Sequence, residues 1–336
     1  MQRKLKMKLL FIFTGGTIGS TLHGDVISTD GDKSRKIIEA YRERFGIGFE
    51  YDAVEPYTEL SENNTGEHIR ILTECIMEKL AGDYDGIIVT HGTDTLQYTS
   101  AAIGYSIGID TIPVCIVSAN RPIENKRSNA LSNLHGAIKF IEDRCGRGAF
   151  ALYKNDGERK IKVHRATRLL AGKAFSDEVS SIFDAIYGHF DTKMNFIKNK
   201  AYKEQKDTIS PFDTRRICKS SDGIVLLPSY PGMVYPPLDG GIKYVVMNSY
   251  HSGTVNTTSA AAVSFFNGAA KRGIKVFVTG ITDGPEYESA TLFSSLGVTE
   301  LKNISPVATY IKLWMALSAG EDPMQIMSES LSGDIG

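Results

Sequence analysis

The chain has 336 residues with 38 Lys and Arg against 39 Asp and Glu, a formal net charge of −1 that argues against binding nucleic acid by neutralising phosphates. Its 42% hydrophobic residues and 32 glycines exclude a disordered or fibrous chain. The length exceeds that at which one hydrophobic core usually stops growing, so two domains are expected.

Lys8–Phe13 (KLLFIF) reads as the first strand and runs into TGGTIGS. The apolar run from Leu9 to Phe13 is too short for a signal-peptide core or a membrane span, which predicts a cytoplasmic protein. Gly15, Gly16 and Gly19 give GGxxG, which satisfies neither the dinucleotide fingerprint nor the phosphate loop. Residues 21–36 are polar and turn-rich, as in loops that close over sites.

Helical periodicity follows in Ser34–Phe45 and in residues 66–80, where Ile69, Leu72, Ile76 and Leu80 share one side. Residues 86–89 and 113–117 read as buried strands around a helix at 99–107, and SANRPIENKRSNALSNLHGAIKFI as a loop passing into a helix. Ala149–Tyr153 is a further strand, and residues 167–188 are irregular. The polar stretch before Pro211 marks a boundary. Beyond it, strands are expected at 223–227, 244–247 and 275–278, with helices at 259–271, near 288–296 and near 305–319. The prediction is an α/β fold with two domains. A larger N-terminal domain (1–190) carries a mostly parallel sheet with flanking helices; a linker (191–216) leads to a smaller C-terminal α/β domain (217–336). Cys75, Cys115, Cys145 and Cys218 are far apart, lack metal-ligand spacing, and read as thiols of a reducing compartment.

Two strand ends share a grammar, TGGT at 14–17 and THGT at 90–93. Each puts a threonine on a turn with free backbone amides. A hydroxyl held there can attack a carbonyl once its proton is removed, and the amides can stabilise the oxyanion. Thr93, Asp94 and Thr95 either contact a ligand in this way or cap the following helix. His91 is either a base or, the more favoured reading, a residue that holds the turn by hydrogen bonding.

Taken together, TGGTIG and HGTDT resemble the paired motifs of the bacterial-type L-asparaginase and glutaminase-asparaginase family, in its cytoplasmic, shorter-loop branch. SANRPIENKRSNALSNLHGAI, LPSYPGM, NSYHSGTVN and the closing SLSGD extend the resemblance over most of the chain. It implies hydrolysis of the asparagine side-chain amide to aspartate and ammonia through a threonine acyl-enzyme, with no cofactor and no metal. By the resemblance Thr17 is the nucleophile. Thr93 lies across the amide, assisting proton transfer and offering its backbone amide. Asp94 holds the α-ammonium of the substrate, and Ser61 its α-carboxylate. Glu62 stands where relatives carry glutamine or a hydroxyl, and a carboxylate there would repel the substrate's own.

Two departures stand out. The lysine that serves the HGTDT motif in the family falls eleven residues after Asn155, at Ala166. Lys162, Arg165 and Arg168 are the possible relay groups nearby; Lys173 comes seven residues late, and arginine is a poor base. The family's lid tyrosine is missing from residues 21–40. Asn248, Ser252, Thr254, Asn256 and Thr279 are expected either at a pocket edge or, more simply, in turns satisfying their own backbone. The resemblance also implies a homodimer or homotetramer with the site near a subunit contact. The alternatives are a related glutaminase or glutaminyl-amide hydrolase, or a catalytically weakened asparagine-binding relative.

Overall fold

The computed structural model of the chain describes residues 6–16, 20–23, 26–29 and 34–336. In chain order the first part contains β1 (Lys8–Phe13), β2 (Ser20–His23), β3 (Val26–Thr29), α1 (Ser34–Phe45), β4 (Glu50–Val54), α2 (Gly66–Lys79), β5 (Gly86–Thr90) and α3 (Leu96–Ile107). It continues with β6 (Val114–Val117), α4 (Ala130–Glu142), β7 (Ala149–Tyr153), β8 (Ile161–Arg165), β9 (Gly188–Phe190) and β10 (Phe196–Lys198). The second part contains β11 (Ile224–Leu227), β12 (Tyr244–Asn248), α5 (Ala260–Lys271), β13 (Lys275–Ile281), β14 (Val298–Lys302), α6 (Pro306–Ala319) and α7 (Pro323–Ile326).

The larger sheet has the order β10-β9-β8-β7-β6-β5-β1-β4. Strands β4, β1, β5, β6 and β7 run parallel, and β8, β9 and β10 continue antiparallel. The central strands GIIVT, VCIV and AFALY are buried along their whole length. Helices cover both faces of such a sheet, which is why these strands read as unbroken apolar runs without alternation. β1 connects forward to β4 on one side, and β4 connects through α2 to β5 on the other. The sheet therefore reverses its direction of growth at β1, and a crevice opens beyond the carboxyl ends there.

The smaller sheet is parallel throughout in the order β11-β12-β13-β14. Helix α6 links the two sheets: Ile311, Trp314 and Met315 share one core with Ala101, Ala102 and Tyr105 of α3 and with Val246 and Phe277 of the smaller sheet. Its ends follow from the sequence, with Ser305 accepting from the Ala308 amide, Pro306 at the first turn and Gly320 left-handed at the stop.

The closing residues are part of this core. Asp334 and Lys312 form a fully buried ion pair at 2.8 Å, and the Tyr105 hydroxyl donates to the same carboxylate at 3.0 Å. Thr167 donates to the Ser332 carbonyl, and Arg168 to those of Gly333 and Ile335.

Several expectations are revised. The helix expected near 288–296 is two 3-10 turns, Ala290–Leu292 and Ser294–Leu296, stopped by the left-handed Gly297. β4 escapes the sequence reading because EYDAV is short and mostly exposed at the sheet edge, without the buried apolar run of the central strands. β10 extends the larger sheet into the stretch expected as a linker. Of the loop expected after β1, the described part is a hairpin of β2 and β3. Among the described residues no helix is long and apolar enough to cross a membrane.

Candidate active site

Phe13 and Thr90 are register partners at the ends of β1 and β5, so the TGG and THG turns leave the sheet side by side. The Thr14 hydroxyl donates to the Thr90 carbonyl at 2.7 Å and ties the two strand ends. Gly16 has φ +77, and a Cβ placed on it would lie 2.3 Å from the Gly92 nitrogen. Only a residue without a side chain allows the two turns to touch. Thr17 itself lies outside the described residues, but its neighbour Gly16 is packed against Gly92, the neighbour of Thr93.

Gly92 is equally constrained on its other side, since a Cβ there would meet the Ser61 hydroxyl at 2.4 Å. Ser61 opens the 3-10 turn Ser61–Asn63 and is buried. Its hydroxyl accepts from the Asp94 amide at 3.2 Å and reaches the Asp94 carboxylate at 3.5 Å. Thr95 donates its hydroxyl to the Ser61 carbonyl at 2.8 Å and makes no side-chain cap to α3. The threonine thus braces the Ser61 turn instead of capping the helix. Ser61, Thr93 and Asp94 therefore come together, with Thr93 half-buried and Asp94 exposed, while Glu62 is exposed on the same turn.

His91 is a framework residue. Its Nδ1 lies 2.8 Å from the Gly92 carbonyl and its Nε2 3.1 Å from the Asn64 side-chain nitrogen. A carbonyl can only accept and an amide NH2 only donate, so Nδ1 carries the proton and Nε2 is the acceptor. Burial pushes the ring's pKa down to about 4, which keeps it neutral. With both nitrogens committed, it has no free position to act as a base.

Beside Thr93 and Asp94 lies a chamber of about 450 Å³ whose other wall is the stretch following Arg168, including Lys173, Asp177 and Glu178. The relay groups named from the sequence lie elsewhere. Lys162 pairs with Glu158 at 2.7 Å on β8, which is three strands from β5, or about 14 Å at the usual strand spacing. Arg165 faces Phe150 at the amino end of β7, 4.1 Å over its ring, and bonds the Arg147 carbonyl and the Glu204 carboxylate. Arg168 is spent on carbonyls of the C-terminal tail and on that of Lys203. Ala166 is buried in the 3-10 turn Ala166–Arg168. Among the described residues Lys173, 3.0 Å from Glu178, is the cation lining the chamber. It reaches the chamber because residues 169–179 fold back toward α3 instead of continuing the sheet.

In the smaller sheet NSYHSGTVN mostly serves its own backbone. Ser252 and Thr254 bond each other at 3.0 Å, and Asn256 accepts from the amides of Thr258 and Ser259 just before α5. Asn248 offers its carbonyl to Ser229, and Thr279 is fully buried.

A parallel sheet whose reversal point carries two abutting turns, with a carboxylate and a hydroxyl beside them, is an architecture in which polar groups gather beyond the strand ends. The profile of the asparaginase N-terminal domain matches residues 8–191, and the chain belongs to the asparaginase family of amide hydrolases. Among similar sequences, a glutamyl-tRNA(Gln) amidotransferase component of Sulfolobus acidocaldarius is 26% identical over 98% of this chain and 75% of its own length. Its counterpart in Sulfurisphaera tokodaii is 24% identical over 99% and 75%. Among solved structures, the thermostable L-asparaginase of Thermococcus kodakarensis superposes with a TM-score of 0.77 at 22% identity, covering 98% of this chain and 99% of that one. A probable cytoplasmic L-asparaginase of Campylobacter jejuni gives 0.73 at 21% identity, covering 96% and 98%. At these identities the structural likeness is one of fold.

Proposed function

We propose that the protein hydrolyses the side-chain amide of free L-asparagine, releasing aspartate and ammonia in the cytoplasm. The observation that supports the reading is the contact of Gly16, which precedes Thr17 in the chain, with Gly92, which precedes Thr93. In this reading the Thr17 oxygen bonds the amide carbon and gives up its proton, and backbone amides of the two turns hold the oxyanion. The C–N bond then breaks, the proton leaves with ammonia, and water hydrolyses the ester. Asp94 binds the α-ammonium through a charge-assisted bond, and Ser61, held at the Asp94 amide, meets the α-carboxylate. Glu62 points its charge to solvent near the same end of the substrate. Lys173 supplies positive charge to the Thr93 side of the chamber. The family resemblance supports a homodimer or homotetramer, which light scattering of the purified chain reads directly.

Ammonia release from asparagine by the purified protein is the test; no release from asparagine, glutamine or D-asparagine refutes the proposal. Thr17→Ala is expected to abolish turnover, and Asp94→Ala to raise KM strongly while the protein stays folded by circular dichroism. Retained activity in the Thr17 variant would move the nucleophile to Thr93.

A second reading follows from the names of the similar sequences: the amide cleaved is that of glutamine, as an ammonia source or as a glutaminyl group. The ratio of kcat/KM on asparagine and glutamine separates the two. One methylene in a close-fitting pocket changes it by about 10- to 200-fold, and the first reading expects asparagine to be favoured.

A further inference from the structure

The chamber wall that carries Lys173 is a loop closed at its neck. Leu169 and Ser181 form an antiparallel bridge, and the Leu170 amide donates to the Ser180 carbonyl at 2.9 Å. Beyond the neck residues 171–177 are exposed, and their bonds close within the loop. The Ser176 amide donates to the Lys173 carbonyl, the Glu178 amide to the Ser176 hydroxyl, and Lys173 pairs with Glu178. Among the described residues no hydrogen bond crosses the chamber from this loop to Thr93 or Asp94.

Among the described residues one side chain from outside the loop hydrogen-bonds to it, that of Asn155, which is 4% exposed. Its Oδ1 accepts from the Val179 amide at 2.9 Å and its Nδ2 donates to the Val179 carbonyl at 3.2 Å. An asparagine side chain offers the same acceptor and donor as a peptide group, so the pair copies one rung of a β ladder. Val179 also packs on the cluster that includes Leu96 and Ile103, but apolar packing is non-directional, and the paired bonds set its position. Asn155 is itself held. The Lys154 amide donates to the Asn133 Oδ1 and the Lys154 carbonyl accepts from the Asn129 Nδ2, each at 2.8 Å, and these two asparagines stand one turn apart at the start of α4.

We propose that Asn155 is a positioning residue for amide hydrolysis, holding the wall that carries Lys173 in place beside Thr93; the inference rests on the amidohydrolase reading. β7, which Asn155 follows, lies two strands from β5, so the residue acts through Val179 and the wall and not on the substrate. The groups assigned to substrate binding belong to a different frame. Ser61 accepts from the Asp94 amide and is braced by Thr95, and neither bond involves the wall. Displacing the wall therefore impairs the chemical step and spares binding.

Asn155→Leu keeps the size of the side chain and removes both bonds; Asn155→Ala serves if that variant fails to fold. Hydrogen exchange of the full chain, read by mass spectrometry on peptides, reports the latch without turnover. In the parent the Val179 amide should be protected relative to those of residues 172–175, which bond nothing among the described residues. In the variant it should exchange about 10- to 100-fold faster, the value of two net hydrogen bonds. On the amide that the parent hydrolyses, kcat should fall about 10- to 100-fold, as a displacement of about 1 Å can cause, while KM stays within about threefold. Equal exchange at Val179 and 172–175 in the parent, unchanged exchange in a folded variant, unchanged kcat, or a KM that moves as far as kcat overturns the proposal. A parent without turnover refutes the amidohydrolase reading and this role with it; an active parent whose variant keeps its kcat refutes the role alone.

Discussion

Asp334→Ala is expected to lower the unfolding free energy by about 3–5 kcal/mol, a large part of the roughly 5–15 kcal/mol typical of a folded protein. The Lys312 ammonium is fully buried 2.8 Å from this carboxylate, and its other bond is to the Glu329 carbonyl, which carries no charge. Removing the carboxylate leaves a cation in the core shared by α3 and α6 with no counter-charge among its bonded groups. The Tyr105 hydroxyl and the Leu331 amide lose their acceptor in the same step. The loss should appear as a shift of the urea midpoint. The double variant Lys312→Met with Asp334→Leu should recover most of it, because replacing both members of a buried pair by apolar groups is close to neutral or stabilising. An unfolding free energy for Asp334→Ala within about 1 kcal/mol of the parent's would show that the pair is not what holds the tail.

The same tail marks a boundary of what the sequence makes legible. The strands at Lys8–Phe13 and Ala149–Tyr153 are legible because a fully covered parallel strand must be an apolar run. The site is legible as two glycine-threonine turns because both directly follow such strands. That they touch is not legible: the requirement for glycine at 16 and 92 comes from each other and from Ser61, which is distant in sequence. Arg165 and Arg168 are the opposite case. They stand in the window where a relay cation is expected, yet one is stacked on Phe150 and the other is consumed by the Lys203 carbonyl and by carbonyls more than 160 residues downstream. No local pattern announces a partner at that separation. Lys173 lies beyond that window, yet residues 169–179 turn back and bring it to the chamber.

Acidification from pH 7 to pH 5 is expected to cost on the order of 3 kcal/mol of stability through two buried histidines alone. His91 and His164 are both fully buried; burial lowers their pKa values from the ordinary 6.5 to about 4 and about 3, with Lys162 adding to the shift of His164. In the unfolded chain each takes a proton as the pH falls through 6.5, while the folded protein takes neither until much lower. The unfolded state therefore binds more protons throughout this window, and stability must fall as the pH falls. The loss is negligible well above the ordinary value and grows downward until the folded values are reached. Urea midpoints at pH 7 and pH 5 measure it. His164→Gln should remove roughly half of the difference, since His164 is bonded only through Nδ1 to the Ser181 hydroxyl and serves no turn of the site. His91→Asn should remove a similar share of the pH dependence but disturb the THGT turn, because the ring bridges Gly92 and Asn64. Equal midpoints at the two pH values would contradict the neutral state of both rings. It follows that any inflection of the rate profile between pH 6 and 8 belongs to a group other than His91, and the variant at His164 should leave that inflection in place.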